Sequence, residues 1–134
     1  MRRFFFPWLF VTIVVIVLER NGQYALLFQH HSVLGYDKLL HFLGGVACGI
    51  FGAWLSVYGP FDPLRSLRSH NALVMTAALV SAFAIGAAWE VLEYVVPTMQ
   101  DPLGWDLWDT SLDMVFDLLG GAVAARAYQE KESP

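Results

Sequence analysis

The chain has 134 residues, 57% hydrophobic and 15% charged, with 8 Lys and Arg against 12 Asp and Glu for a net charge of -4. Soluble domains sit near half apolar and a quarter charged, so this composition leaves too little polar surface for a globule in water. The sparse basic residues argue against a nucleic-acid partner, Arg65 and Arg68 being the only close basic pair outside the N-terminus.

A membrane-spanning helix needs about 20 mainly apolar residues, so several spans consume nearly the whole length. The expected organisation is one integral membrane domain, residues 1–134, in contact with the lipid bilayer. Behind Arg2 and Arg3, the first apolar run covers about residues 4–19, with Pro7 in a first turn that tolerates it. Such a start also suits a signal peptide. Glu19-Arg20-Asn21-Gly22 follows, however, with no small-residue cleavage pattern, so the run is expected to remain as an anchor. The second run, about 39–58, stops at the breaker pair Gly59-Pro60. The lone cysteine, Cys48, lies within it, can form no intrachain disulfide and reads as a packing residue. The third run, about 72–96, ends before Pro97. The fourth, about 107–126, is interrupted by Asp109, Asp113 and Asp117. The polar tail from Gln129 is expected to fray.

The pattern predicts an all-α fold, a bundle of four transmembrane helices. Even-numbered spanning puts Arg2, Arg3, Arg65, Arg68, Arg126 and Lys131 on one side and only Arg20 and Lys38 on the other. Basic residues accumulate on the cytoplasmic side, so both termini are expected in the cytoplasm of a multi-pass protein of the bacterial inner membrane.

Ionisable side chains inside a span cost about 2.5–3.5 kcal/mol each to insert, so they mark functional candidates. Steps of three and four place His41 on one face with Gly45, Gly49 and Gly52. The same spacing groups Glu90 and Glu93 with Ala82 and Gly86. In the fourth run it groups Asp106, Asp109, Asp113 and Asp117 with Gly120, Gly121 and Ala124. Small residues at this spacing mark close helix contact in membranes, so the acids should face the bundle interior. Positions such as Val57 and Val80 fall off these faces. By depth, His41, Glu90, Glu93, Asp109 and Asp113 converge in the outer half. Asp37 and Lys38 sit at its rim, and Asp117 lies deeper.

Each residue also has an ordinary structural explanation. Asp106 or Asp109 can cap the fourth helix, and Asp37 can cap the second or pair with Lys38. Trp89, Tyr94, Trp105 and Trp108 fit an interfacial aromatic belt, and His30, His31 and His70 carry no specific signal. Caps do not account for Glu90, Glu93, Asp113 and Asp117 together. Several carboxylates at close range need shared protons, a divalent cation or a cationic ligand group. Oxygen ligands from Glu90, Glu93, Asp109 and Asp113, with a nitrogen from His41, form the candidate metal set.

The motifs Asp37-Lys38-Leu39-Leu40-His41-Phe42, Glu90-Val91-Leu92-Glu93 and Trp108-Asp109-Thr110-Ser111-Leu112-Asp113-Met114 occur in this order, followed by Asp117 and Gly120-Gly121-Ala122. The ordered set resembles the VanZ-like membrane proteins and the related YjdF-type small bacterial inner-membrane proteins, across the last three spans. Glu93 follows the YjdF type, where the VanZ pattern has Gln, and Asp117 stands where those families often place Asn. The resemblance implies a membrane location and, for VanZ itself, a link to glycopeptide (teicoplanin) resistance. It implies no particular reaction.

The leading functional expectation is an acidic and histidine-bearing intramembrane site facing the outer side. It would bind an ion or an amphiphile headgroup in a cell-envelope role. Two other classes use the same residues: an accessory or assembly subunit of a membrane complex, with a protein partner or as a homo-oligomer, and a metal-assisted enzyme acting on a lipid-linked substrate. Ion transport is a fourth class, for which four short spans offer a narrow path.

Overall fold

The computed structural model describes residues 8–17, 36–58, 70–96 and 106–132. Among the described residues the chain is all-helical: α1 (Trp8–Val17), α2 (Tyr36–Tyr58), α3 (His70–Val95) and α4 (Leu107–Glu132). Two stretches, Asp37–Tyr58 and Asn71–Val95, are long and apolar enough to cross a membrane. The remainder of the first apolar run, most of the basic residues used for orientation, Trp105 and the His30-His31 pair lie outside the described residues.

Two helices extend beyond their expected bounds. Helix α2 begins at Tyr36, so Asp37 and Lys38 are part of its first turn. A carboxylate there faces the unsatisfied N–H groups of the helix start, which favours early initiation. Helix α4 continues through Glu132 rather than fraying from Gln129. Its last turns are rich in strong helix formers, and Gln129 Nε2 donates to the Asn71 carbonyl at 2.7 Å, tying the end of α4 to the start of α3.

Helices α2, α3 and α4 each pack against the other two. Lys38 near the start of α2 meets Asp109 near the start of α4, so these two run parallel, with α3 antiparallel to both. Close approach depends on glycine at the contact points. A Cβ on Gly49 would lie 2.8 Å from Gly121 Cα and 2.9 Å from Ala124 Cβ. One on Gly120 would meet the Phe42 carbonyl, and one on Gly52 the Ala77 carbonyl. The interior between the helices is accordingly built of small residues: Ala47, Ala53, Ala78, Ala82, Ala124 and Ala125 are all buried.

The bundle has two unlike ends. At one, Ala53, Val74, Ala78, Ala125 and Tyr128 form an apolar core with Val57 and Met75 packed on it. Val57 therefore touches the core, contrary to its expected place off the contact faces, whereas Val80 is exposed. At the other end the interior is charged. Lys38, Asp113 and Asp117 are only 3%, 3% and 4% exposed, whereas Val80, Phe83, Val91 and Trp108 are 60%, 51%, 59% and 70% exposed. Charge inside and large apolar side chains outside is the reverse of a water-soluble fold and suits a hydrocarbon surround.

Helix α1 meets α2 through aromatic rings. Trp8 lies 6.2 Å from Phe51, which continues to Trp54 at 6.2 Å and Tyr58 at 6.3 Å. Three hydroxyls within the helices donate to backbone carbonyls about one turn earlier: Thr12 to Trp8, Ser56 to Ala53 and Ser111 to Leu107.

Candidate functional site

The charged end gathers side chains from α2, α3 and α4. Lys38 reaches across from α2, with Nζ 3.0 Å from Asp37 Oδ2, 2.6 Å from Asp109 Oδ1 and 2.6 Å from Asp113 Oδ1. The first two are aligned hydrogen bonds. The third is a close ion pair to a buried Asp113 oxygen. Asp109 is thereby a Lys38 partner. The cap of α4 is Asp106, whose Oδ1 accepts from the Trp108 amide at 2.9 Å.

One turn beyond Lys38, His41 lies buried with carboxylates around both ring nitrogens. Nδ1 is 3.3 Å from Asp117 Oδ2. Nε2 is 3.6 Å from Glu90 Oε1, 3.8 Å from Asp37 Oδ1 and 3.8 Å from Asp113 Oδ1, each too long for a hydrogen bond. Glycines create the room for Asp117. A Cβ on Gly86 would strike its carboxylate and one on Gly45 its backbone carbonyl, so α4 can bring this acid between α2 and α3. Asp117, expected deeper than the rest, joins them through His41.

Helix α3 contributes Glu90 and Glu93, one turn apart. Glu90 Oε2 accepts from Thr110 Oγ1 at 2.7 Å, while its Oε1 is buried without a hydrogen-bond partner. Glu93 Oε1 accepts from Trp89 Nε1 at 2.7 Å. Trp89 and Thr110 were not singled out as site residues from sequence. Their signals were present: Trp89 precedes Glu93 by four residues, a neighbouring position on a helix, and Thr110 sits inside the Trp108–Met114 motif. Tyr94 and Trp108 are exposed at this same end.

The structure thus brings together His41, Glu90, Glu93, Asp109 and Asp113 with Asp37, Lys38 and Asp117. Two sets of three offer ligand atoms within 4.8 Å of one another: Asp37, His41 and Asp113, and His41, Glu90 and Glu93. Six carboxyl groups share this end with one lysine and one imidazole. Chemically, such a cluster can hold a cation or exchange protons among its members.

A family model described as "Predicted membrane protein (DUF2238)" matches residues 1–130. The chain belongs to this family. A similar protein is an uncharacterized one of Thermotoga maritima, 28% identical over 122 residues, which cover 77% of this chain and 58% of that protein. The chain thus spans little more than half the length of that curated relative. No solved structure matches. The family membership accords with a helical membrane protein containing a buried acidic and histidine cluster.

Proposed function

We propose that this is a four-span protein of the bacterial inner membrane, with both termini cytoplasmic, whose intramembrane cluster binds a cation. The bound group is either an ion or the cationic part of an amphiphile headgroup, taken up from the outer face in a cell-envelope role. The observation that carries the reading is the charge imbalance: six buried or half-buried carboxyl groups face Lys38 and His41, and Glu90 Oε1 is buried with no hydrogen-bond partner among the described residues. Buried anions without compensation are costly, and a bound cation supplies it. The length of α4 supports a further span despite its acids: 26 residues at about 1.5 Å each extend roughly 39 Å, beyond a hydrocarbon core of about 30 Å. The ordered motifs around Lys38, Glu90 and Asp113 support kinship with the VanZ-like and YjdF-type proteins and the envelope role.

A scaffold reading is favoured by one feature, Lys38 with its three carboxylate neighbours, which is a self-contained ion-pair network. In that case the protein is an accessory subunit whose charges lock helix packing. Thermal stability in detergent separates the two. For a binding site, Glu90→Gln, alone or with Asp113→Asn, removes stabilisation by added divalent ions or by a short-chain alkylammonium amphiphile. The double variant then loses little more, because the site fails as a unit. Ion- and amphiphile-independent stability of the wild type, with partial recovery in the double variant, leaves the scaffold.

A further inference from the structure

The two groups of potential ligand atoms share His41 but differ in what already balances them. On the α4 side, Asp37 and Asp113 have Lys38 between them, with Nζ at 3.0 and 2.6 Å. That ammonium is a built-in cation. On the α3 side, the donors to Glu90 and Glu93 among the described residues are neutral, Thr110 and Trp89, each on a single oxygen. Glu90 is about nine-tenths buried, and its second oxygen, facing His41, has no hydrogen-bond partner.

We propose that this α2–α3 side is a divalent transition-metal site, with His41 Nε2, Glu90 Oε1 and a carboxylate oxygen of Glu93 as ligands and Asp117 orienting the imidazole. The inference rests on the cation-binding reading above and names its ion and its atoms.

Three features support it. First, Nε2 and Glu90 Oε1 are 3.6 Å apart, too far to bond each other. Ligand atoms each about 2.1 Å from one ion are separated by roughly 3.0–3.5 Å, so a small adjustment admits the metal. Second, Asp117 at 3.3 Å from Nδ1 favours a proton on that nitrogen, which leaves Nε2, 3.6 Å from Glu90 Oε1, as the ligating nitrogen. A carboxylate behind a ligating histidine fixes tautomer and ring direction in metal sites generally. Third, two carboxylates with one imidazole suit zinc, manganese or iron(II) over magnesium, which prefers oxygen alone and retains its waters. Three protein ligands leave a coordination position open for water or an anionic headgroup oxygen.

The test uses metal-stripped full-length protein in detergent, titrated with Zn2+, Mn2+ and Mg2+ alone, with Co2+ as a spectroscopic probe. Zn2+ or Mn2+ is expected to bind at least about 100-fold more tightly than Mg2+, and Co2+ to give visible ligand-field absorption. His41→Gln, Glu90→Gln and Glu93→Gln should each remove that absorption and the tight binding. Asp117→Asn should weaken affinity by about 10–100-fold while keeping the absorption, as expected for an orienting partner. Monodispersity of each variant by size exclusion distinguishes lost ligation from lost folding, and the Co2+ spectrum of the wild type requires no variant to fold. Loss of binding in Asp37→Asn with none in Glu93→Gln overturns the proposal by moving the ion to the α4 side. Mg2+ binding as tight as Zn2+ and indifferent to His41→Gln also overturns it, while the broader reading stands. Stabilisation by the alkylammonium amphiphile without binding of any metal has the same consequence. No response to either metals or amphiphile removes both.

Discussion

Lys38 is the residue on which the charged end turns. Its ammonium is almost wholly buried and lies within ion-pair distance of Asp37, Asp109 and Asp113, so it balances charge contributed by α2 and α4 together. Removing one partner of a buried ion pair leaves the others uncompensated, at a cost of about 3–5 kcal/mol. Lys38→Met is therefore expected to lower the unfolding midpoint in detergent sharply. Adding Asp113→Asn should restore part of the loss, since one orphaned charge is then gone. Equal midpoints for wild type and Lys38→Met would show the network to be dispensable. Glu90 answers to α3 and Thr110 instead, so its neutral isostere should alter ligand response more than folding.

The helices owe their spacing to glycine. Gly49 leaves room for Gly121 and Ala124, and Gly86 leaves room for the Asp117 carboxylate and Met114. Gly49→Leu and Gly86→Leu should push the helices apart and sharply reduce the monodisperse yield from membranes, because backbone approach replaces hydrophobic drive in lipid. Val80→Leu, on an exposed face of α3, should leave yield within error of wild type. Val57 is unsuitable as this control, since it packs on the apolar core. Gly86→Leu carries a second expected effect: it displaces Asp117 and so disturbs His41, reducing ligand response even in protein that folds.

For the whole molecule, the unlike ends matter more than any single contact. An apolar core around Ala53, Val74 and Tyr128 closes one end, while the other holds the acids, His41 and Lys38. On the proposed four-span topology, which rests on the six-to-two division of basic residues, the charged end faces outside. Reporter fusions after Gln23 and after Asp101 should then read as external, and fusions after Leu67 and at the C-terminus as cytoplasmic. A C-terminus found outside removes the fourth crossing and with it the proposed placement of the cluster.

Composition and periodicity by themselves determined the membrane class, the helical class and the faces on which the acids lie. Those properties are local: a run of apolar residues, a breaker pair, and a spacing of three or four are readable without knowing any neighbour. Pairing between helices was not readable. Asp106 and Asp109 offered equal claims to cap α4, and only the proximity of Lys38, 71 positions earlier in sequence, made Asp109 its ion-pair partner while Asp106 took the cap. Asp117 looked deeper than the others. It meets His41 because Gly45 and Gly86 leave room for it between α2 and α3. The division of the cluster into a side balanced by Lys38 and a side with an orphaned Glu90 oxygen was likewise decided by tertiary structure. Charge balance in a low-dielectric interior depends on separations of a few ångströms between different helices, and helical spacing fixes only the separations within one.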